Sequence, residues 1–408
     1  MVQAIVVIGG GQAGYQAVAQ LRSEGYQGAI HLVGDEAALP YQRPPLSKAY
    51  LLGKTAAGDL VFRREDFYSA NNITLHLGVM AEAIDRAARQ VSLSDGSVLD
   101  YEFVILATGA RNRPLPVPGA DLDNILYLRT MADTDLLKER LDAAQSVVVI
   151  GGGFIGLEFA AVATMLGKLV SVVEMAPRLM ARAVPAPVSE FFQNLHQDKG
   201  VKLYLGDGVK AIHGVDGKAR QVETSSGRML AGDLIVVGAG VIPNDELARD
   251  AGLEVRDGVQ VDGELRTSDP AIFAVGDCAR FPLAKGGDPI RLESVQNAAD
   301  QARHVARVIM GKPDHYDMVP WFWSDQYDIK LQIAGLSTGA DQTVIRGDVE
   351  GRKFSVFSYR QGRLIAVDSI NMPADHMAAR KLLGAGVSIP AEDIANPDFD
   401  LRAAAKAI

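Results

Sequence analysis

Two short glycine clusters carry a spacing that chemistry can use. Gly9, Gly11 and Gly14 stand in GGGQAG after the apolar run 5–8, and Gly151, Gly153 and Gly156 stand in VVVIGGGFIGLE (147–158). Where G-x-G-x-x-G closes a buried strand and opens a helix, the first glycine permits the tight turn. The second lets the backbone approach a pyrophosphate, and the third lets the helix pack against the strand. The opened helix then offers free N–H groups and partial positive charge to phosphate. About twenty residues after each cluster stands a carboxylate at the end of a second apolar run, Asp35 after 29–33 and Glu174 after 169–173, where an acid accepts a hydrogen bond from a ribose. The same spacing also occurs in glycine-rich turns with no ligand. The strand, helix and acid around each cluster favour dinucleotide binding.

Positioning those residues takes two copies of one module. The first copy is expected to run from its strand into a helix over 16–24. A second internal match supports the duplication: SDGSVLDYEFVILATGA (94–110) aligns without gaps on SSGRMLAGDLIVVGAGV (225–241). Each segment reads as a polar hairpin followed by an apolar strand. One ends at Thr108 and Gly109, the other at Gly240. Ordered repeats of this kind change the expected fold. From about residue 322 the pattern shifts to strands (330–335, 353–359, 363–371) and a helix (373–383). The expectation is an α/β fold with two Rossmann-like nucleotide-binding domains and a C-terminal α+β domain. The proline-rich stretch RNRPLPVPG (111–119) and the return at IPNDE (242–246) suit domain boundaries. The first domain is then discontinuous, 1–114 and 245–321, with the second at 115–244 and the third at 322–408.

The bulk properties narrow the class. A chain of 408 residues suggests two or three domains, and the net charge of −9 argues against non-specific nucleic-acid binding. The one cysteine, Cys278, excludes an internal disulfide, a CxxC redox centre and a thiolate-built metal site. The apolar window 147–167 is interrupted by glycines and reads as strand, turn and helix rather than a membrane span. The first residues lack a basic stretch before their apolar run, so a secretory signal is not expected, and a reducing cytoplasm is the simplest compartment.

Three further stretches are distinctive. In PYQRPPLSK (40–48), prolines stiffen the loop and either hold Arg43 and Lys48 towards an anion or leave them as solvated charges. AIFAVGDCA (271–279) is an apolar strand ending in Gly-Asp, where Asp277 either caps the turn or hydrogen-bonds a sugar hydroxyl. The expected helix 292–307 begins where it can face the same ligand. MVPWFWSDQY (318–327) holds both tryptophans, as core packing or as neighbours of a ring.

GGGQAG, RPPLSK, LATG, GGGFIGLE, GAGVIPN, AVGDCARF and WFWSDQY stand in this order. With them the chain resembles the NADH-dependent, FAD-containing ferredoxin reductases of the putidaredoxin reductase type, within the glutathione-reductase-like flavoproteins. The resemblance covers nearly the whole chain and weakens beyond Met372. It implies FAD on the first module and NADH on the second. FAD contacts are implied at Ala13, Asp35, Arg43, Lys48, Ala81, Arg129, Asp277 and Val295, beside Gly9, Gly11, Gly14, Thr108 and Gly109, with Trp321 near the flavin. NADH is implied on Gly151, Gly153, Ile155, Gly156, Glu174 and Gly240. Lys48 and Glu158 are implied as a pair beside the flavin. On residues alone Glu158 also reads as a carboxylate favoured by the helix dipole, worth about 0.3–1 kcal/mol. Glu174 favours NADH over NADPH by accepting from a ribose hydroxyl and repelling a 2′-phosphate. Arg178 and Arg182 either soften that preference or are solvated.

Hydride transfer to a flavin needs no acid or base, so no proton-transfer residue is expected. Relatives that reduce disulfides or peroxide route electrons through cysteines near the first module, and this chain has none there. What remains is single-electron transfer to a small carrier. The resemblance names a 2Fe–2S ferredoxin serving a monooxygenase or ring-hydroxylating dioxygenase, docked by Arg63 and Arg303, with Arg64, Arg307 and Lys312 nearby in sequence. A rubredoxin or quinone reductase of the same fold, and an NADH-binding signalling flavoprotein, are the alternatives.

Overall fold

The computed structural model describes residues 4–283, 286 and 288–408. The chain divides into two compact units. The first takes Met1–Gln42, Ala57–Arg111 and Val241–Met318; the second takes Arg43–Ala56, Asn112–Gly240 and Val319–Ile408.

In the first unit a five-stranded parallel sheet has the order Ile272–Ala274, Phe103–Leu106, Ala4–Ile8, Ala29–Gly34, Ile73–Leu77. Every residue of the central strand Ala4–Ile8 is buried, as a strand covered on both faces requires. The helix that follows is Gln12–Ser23, so it begins at Gln12 rather than at residue 16. Gly11 is its N-cap, and the turn from strand to helix uses only the three glycines. This helix packs on Val295–Ile309, with Ala17, Val18 and Leu21 meeting Ala302, Val305 and Ala306 in one core. That second helix also starts later than residue 292, because Ser294 caps it by accepting from Asn297 N at 3.4 Å.

The second unit repeats the arrangement. Its parallel sheet has the order Lys202–Leu205, Leu169–Glu174, Ser146–Ile150, Leu234–Val237, Ile125–Tyr127, again with the fingerprint strand in the middle. Gly151 N donates to Val173 O at 2.8 Å where Gly9 N donates to Val33 O at 2.7 Å, so the two turns share one register. Both expected hairpins are present, each before the strand next to the fingerprint strand. The window 147–167 is strand, turn and the helix Phe154–Met165, and among the described residues no helix is long and apolar enough to cross a membrane.

The same unit carries a five-stranded antiparallel sheet, ordered Trp321–Gln326, Ile329–Gly335, Arg363–Ile370, Lys353–Arg360, Gln342–Asp348. Its first and last strands are additional to those read from the sequence. The helix Pro373–Gly384 covers one face through Ala379 and Leu382 against Phe357 and Val367. On the other face Leu331, Ile333 and Val356 pack with Val188, Phe192 and Leu195 of the helix Ala186–Asp198. The fold is thus α/β with two Rossmann-like sheets and a C-terminal α+β part.

Candidate functional site

The glycines of the two fingerprints sort by what a side chain would meet. A Cβ at Gly9 or Gly151 would overlap the carbonyl of Ala107 or Gly238, and one at Gly14 or Gly156 would overlap the carbonyl of Gly9 or Gly151. Gly9 and Gly151 also sit at φ +122° and +109°, where an L side chain is strained. The chain's own packing explains these four. It does not explain Gly11 and Gly153, where a Cβ meets no atom within 4 Å and the backbone is ordinary, with φ −83° and −82°. Both are N-caps, and among the described residues no side-chain cap serves the first N–H groups of either helix. A pyrophosphate close to the backbone accounts for the missing side chains, and the residues fit a dinucleotide in both modules. Ile155, in the first turn of the second helix, is 47% exposed.

The two acids are not equivalent. Glu174 aligns with Gly34, which faces Gly10, and Asp35 falls one residue later, at the position of Met175. Glu174 accepts from Gly152 N at 2.6 Å and from Ala176 N at 2.7 Å. This pins the carboxylate to the fingerprint turn, with lone pairs left for a ribose hydroxyl. Asp35 is exposed beyond the end of its strand. Arg178 is committed to its own loop, donating to Val184 O and Ala181 O at 2.8 Å, whereas Arg182 is exposed beside Gly240.

In the first unit Gly276 lies 3.3–3.5 Å, measured from its would-be Cβ, from the Cβ atoms of Ala13 and Ala298. The turn Gly276–Cys278 is therefore wedged between the fingerprint helix and the start of Val295–Ile309. That brings Ala13, Asp277 and Val295 together. Gln301, fully buried in the second of these helices, accepts from Gly276 N at 2.7 Å, and its Nε2 has no partner among the described residues. Ala81 begins the strand Ala81–Asp85; Val79 N donates to Gly34 O at 3.0 Å and holds that segment at the sheet's end. Thr108 donates its hydroxyl to Asn244 O at 2.6 Å and accepts from Asn244 Nδ2 at its carbonyl at 2.8 Å, next to Gly109 at φ +67°. Cys278 is buried with Sγ 3.3 Å from Val275 O, and burial pushes its thiol pKa up.

In the second unit RPPLSK folds as the 3-10 turn Pro44–Ser47, whose prolines pre-set the backbone angle. The turn buries Leu46 and Ser47 and leaves Lys48 at its end. Glu158, in the second turn of Phe154–Met165, is 2% exposed. Lys48 Nζ and Ser47 Oγ both donate to Glu158 Oε2 at 2.6 Å, and Ser324 Oγ donates to Oε1 at 2.6 Å. A buried carboxylate is costly unless paired and hydrogen-bonded, and here it is both. Lys48 keeps 21% of its side chain exposed. Arg43 Nη1 donates to Arg129 O at 2.8 Å, and Arg129 N donates to Asp133 of the capping box at 3.0 Å, so these two cations share one corner. Trp321 is partly buried, with Arg380 4.5 Å and His376 5.6 Å from its ring. Ser47 and Ser324, and behind them Gln326 and His196, join Glu158 by hydrogen bonds and are not among the residues expected from the sequence. For Ser324 and Gln326 the signal is the alternation in WFWSDQ, which puts Phe322, Ser324 and Gln326 on one strand face.

Of the expected docking arginines, Arg303 is 45% exposed but paired with Asp300 Oδ1 at 2.9 Å and bonded to Gln16 Oε1 at 3.2 Å. Arg63 is exposed, 5.7 Å from the Phe67 ring, beside the stacked Tyr15 and Phe62. Lys312 pairs with Glu24 at 2.7 Å.

Residues 3–302 match the family described as pyridine nucleotide-disulphide oxidoreductase, and residues 321–405 match reductase C-terminal. Rhodocoxin reductase of Rhodococcus erythropolis is 49% identical over 400 residues, 98% of this chain and 94% of that protein. The solved ferredoxin reductase for the CYP199A2 system of Rhodopseudomonas palustris aligns with TM-score 0.97 at 47% identity, covering 99% of this chain and all of that one. The reductase in the solved covalent putidaredoxin reductase–putidaredoxin complex aligns with TM-score 0.96 at 41% identity, covering 100% of this chain and 99% of that one. With similarity at this level running from end to end, this chain belongs to the pyridine nucleotide-disulphide oxidoreductase family, in the group of the putidaredoxin and rhodocoxin reductases.

Proposed function

We propose that this protein is an FAD-dependent oxidoreductase that takes electrons from NADH and passes them to a 2Fe–2S ferredoxin serving a monooxygenase or ring-hydroxylating dioxygenase. The observation that carries the reading is the pair of second glycines facing open space, one per module, in a chain whose one thiol is buried. When bound, FAD supplies a hydride acceptor that can release electrons one at a time. Gly9, Gly11, Ala13 and Gly14, with Asp35, Ala81, Thr108, Gly109, Asp277 and Val295, hold it from the first module. Arg43, Lys48, Arg129 and Trp321 complete its contacts. Gly151, Gly153, Ile155, Gly156 and Gly240 hold NADH, and Glu174 accepts from its ribose and disfavours a 2′-phosphate.

Breaking the nicotinamide C–H bond as hydride calls for no general acid, so Lys48 and Glu158 act by position and charge. The buried carboxylate fixes the ammonium in one place, and fixed geometry lowers the entropic part of the barrier. Residues 1–114 and 245–321 form the FAD domain, 115–244 the NADH domain and 322–408 the C-terminal domain. The relatives named as reductases of rhodocoxin, ferredoxin and putidaredoxin support a ferredoxin as acceptor. Arg63 and Arg303 steer it, with Arg63 the stronger since Asp300 already offsets Arg303. The enzyme works in the cytoplasm, where NADH is regenerated. The test is steady-state reduction of purified 2Fe–2S ferredoxins by the FAD-loaded protein. Reduction of ferredoxin at the rate of NADH oxidation supports the reading. NADH oxidation that never reaches a ferredoxin, or reaches rubredoxin alone, removes it.

A further inference from the structure

Glu158 ends a longer run of hydrogen bonds inside the second unit. Ser324 Oγ, bonded to Glu158 Oε1, is 3.2 Å from Gln326 Nε2. Gln326 Oε1 lies 2.8 Å from His196 Nε2, and His196 Nδ1 lies 3.3 Å from the Tyr327 hydroxyl. Ser324, Gln326 and His196 are all at most 1% exposed. Two come from the strand Trp321–Gln326 and one from the helix Ala186–Asp198.

Chemistry at one end sets the direction of the whole run. A carboxylate only accepts, so Ser324 gives its single hydroxyl hydrogen to Glu158. The Ser324 oxygen then accepts, so Gln326 presents its NH2 group to Ser324 and its carbonyl to His196. That carbonyl also accepts, so His196 carries its proton on Nε2, and Nδ1 is left to accept from Tyr327. The ring is neutral in this arrangement, as its burial also demands; burial lowers its pKa to about 4. Tyr327 itself sits at φ +56° in a two-residue hairpin, a region where glycine is the usual occupant. Its ring lies 5.2 Å from His196 and 5.6 Å from Lys199 Nζ.

We propose that Ser324, Gln326 and His196 are positioning residues: a one-way hydrogen-bond chain that fixes the Glu158 carboxylate and, through it, aims the Lys48 ammonium. The proposal rests on the role assigned above to the Lys48–Glu158 pair. It accounts for a feature that packing alone leaves unexplained, namely three polar side chains in line in the apolar core formed by Leu157, Phe192, Leu195 and Leu331. An apolar core of the same volume would be no less stable, since buried polar chains gain little unless every member is satisfied.

Glu158→Gln supplies the test. Lys48 and Ser47 both donate to Oε2, so the new amide keeps its oxygen on that side and turns its NH2 towards Ser324. Ser324 must then donate to Gln326, whose amide flips, and His196 must accept at Nε2 and carry its proton on Nδ1. Nitrogen-15 NMR of the FAD-loaded protein labelled at histidine, with His196→Gln to assign the signal among seven histidines, reads the tautomer directly. The expected result is Nε2–H in the parent and Nδ1–H in Glu158→Gln. An unchanged tautomer, or a protonated ring at neutral pH, overturns the chain. This readout does not depend on turnover. Failure of the NADH-oxidising reading shows itself separately, as no NADH-driven ferricyanide reduction. A second measurement uses Gln326→Leu, which breaks the chain at similar volume. It should lower kcat/KM for NADH about ten-fold in the parent and less than about two-fold in the Glu158→Gln background, the non-additivity expected of residues acting through one another. Equal losses in both backgrounds signify a merely structural role and overturn the proposal.

Discussion

A single methyl group at Gly153 separates ligand binding from packing. Gly153 has φ −82° and open space where its Cβ would stand, so Gly153→Ala fits the folded chain as it is. The unfolded state loses freedom, which stabilises by about 0.4–1 kcal/mol, while alanine is a poorer N-cap than glycine by a comparable amount. The net change is within about 1 kcal/mol, a shift of about 3 °C or less in Tm. The effect on the cofactor is different. In the proposed binding mode the methyl would occupy the space through which the backbone reaches the pyrophosphate, and each hydrogen bond lost to a charged group costs about 1.5–3 kcal/mol. KM for NADH should therefore rise about 10- to 100-fold, measured with ferricyanide as acceptor beside a melting curve. Gly156→Ala is the control, because its Cβ overlaps the Gly151 carbonyl. It should destabilise by about 1–3 kcal/mol or more, whatever the cofactor. If Gly153→Ala binds NADH normally, or unfolds the protein as Gly156→Ala does, the assignment of Gly153 to the pyrophosphate is wrong.

The remaining expectations concern the acid at the second module, docking and pH. Glu174→Ala should raise KM for NADH about ten-fold and narrow the NADH-over-NADPH preference; specificity constants for both cofactors check this, and a parent enzyme equally good with NADPH contradicts it. Arg63→Glu with Arg303→Glu should weaken ferredoxin reduction several-fold at low salt and leave ferricyanide reduction alone. Each surface pair is worth only about 0–1 kcal/mol, so Arg303, already held by Asp300, should contribute the smaller share. His196 and His376 are buried with pKa values lowered from 6.5 to about 4, so the unfolded chain takes up protons that the folded chain refuses. Stability is then full above pH 6.5 and falls as pH drops towards 4, by up to about 3 kcal/mol for each group. Urea midpoints across that window should fall on acidification, less steeply in His196→Gln, and a rising midpoint would refute the neutral assignment.

The parts of this molecule legible in its sequence are those where one local constraint decides. Gly14 and Gly156 are required by the carbonyl of the glycine five residues before them, Gly9 and Gly151 by a positive φ at the tight turn, and the apolar strands by burial on both faces. The helix Gln12–Ser23 starts early because its cap is backbone and leaves no side-chain signal. Asp35 and Glu174 look alike by spacing and differ by one residue in register, since Gly34 takes the place that Glu174 fills. The surroundings of Glu158 were least accessible. Ser47, Ser324 and His196 lie far from it in sequence and converge only through the fold; strand alternation sets Ser324 and Gln326 on one face, but nothing local to Ser47 or His196 points to Glu158.

The central claim is that NADH-derived electrons leave this protein one at a time to an iron–sulfur carrier. The most direct measurement mixes the FAD-loaded protein with NADH and an excess of oxidised 2Fe–2S ferredoxin under anaerobic conditions, following the flavin and ferredoxin absorbances together. The account predicts flavin bleaching first, then reduction of two ferredoxins for each NADH consumed, with both phases slowed in Lys48→Ala. Flavin bleaching with no ferredoxin reduced, or ferredoxin reduced without prior bleaching of the flavin, contradicts it.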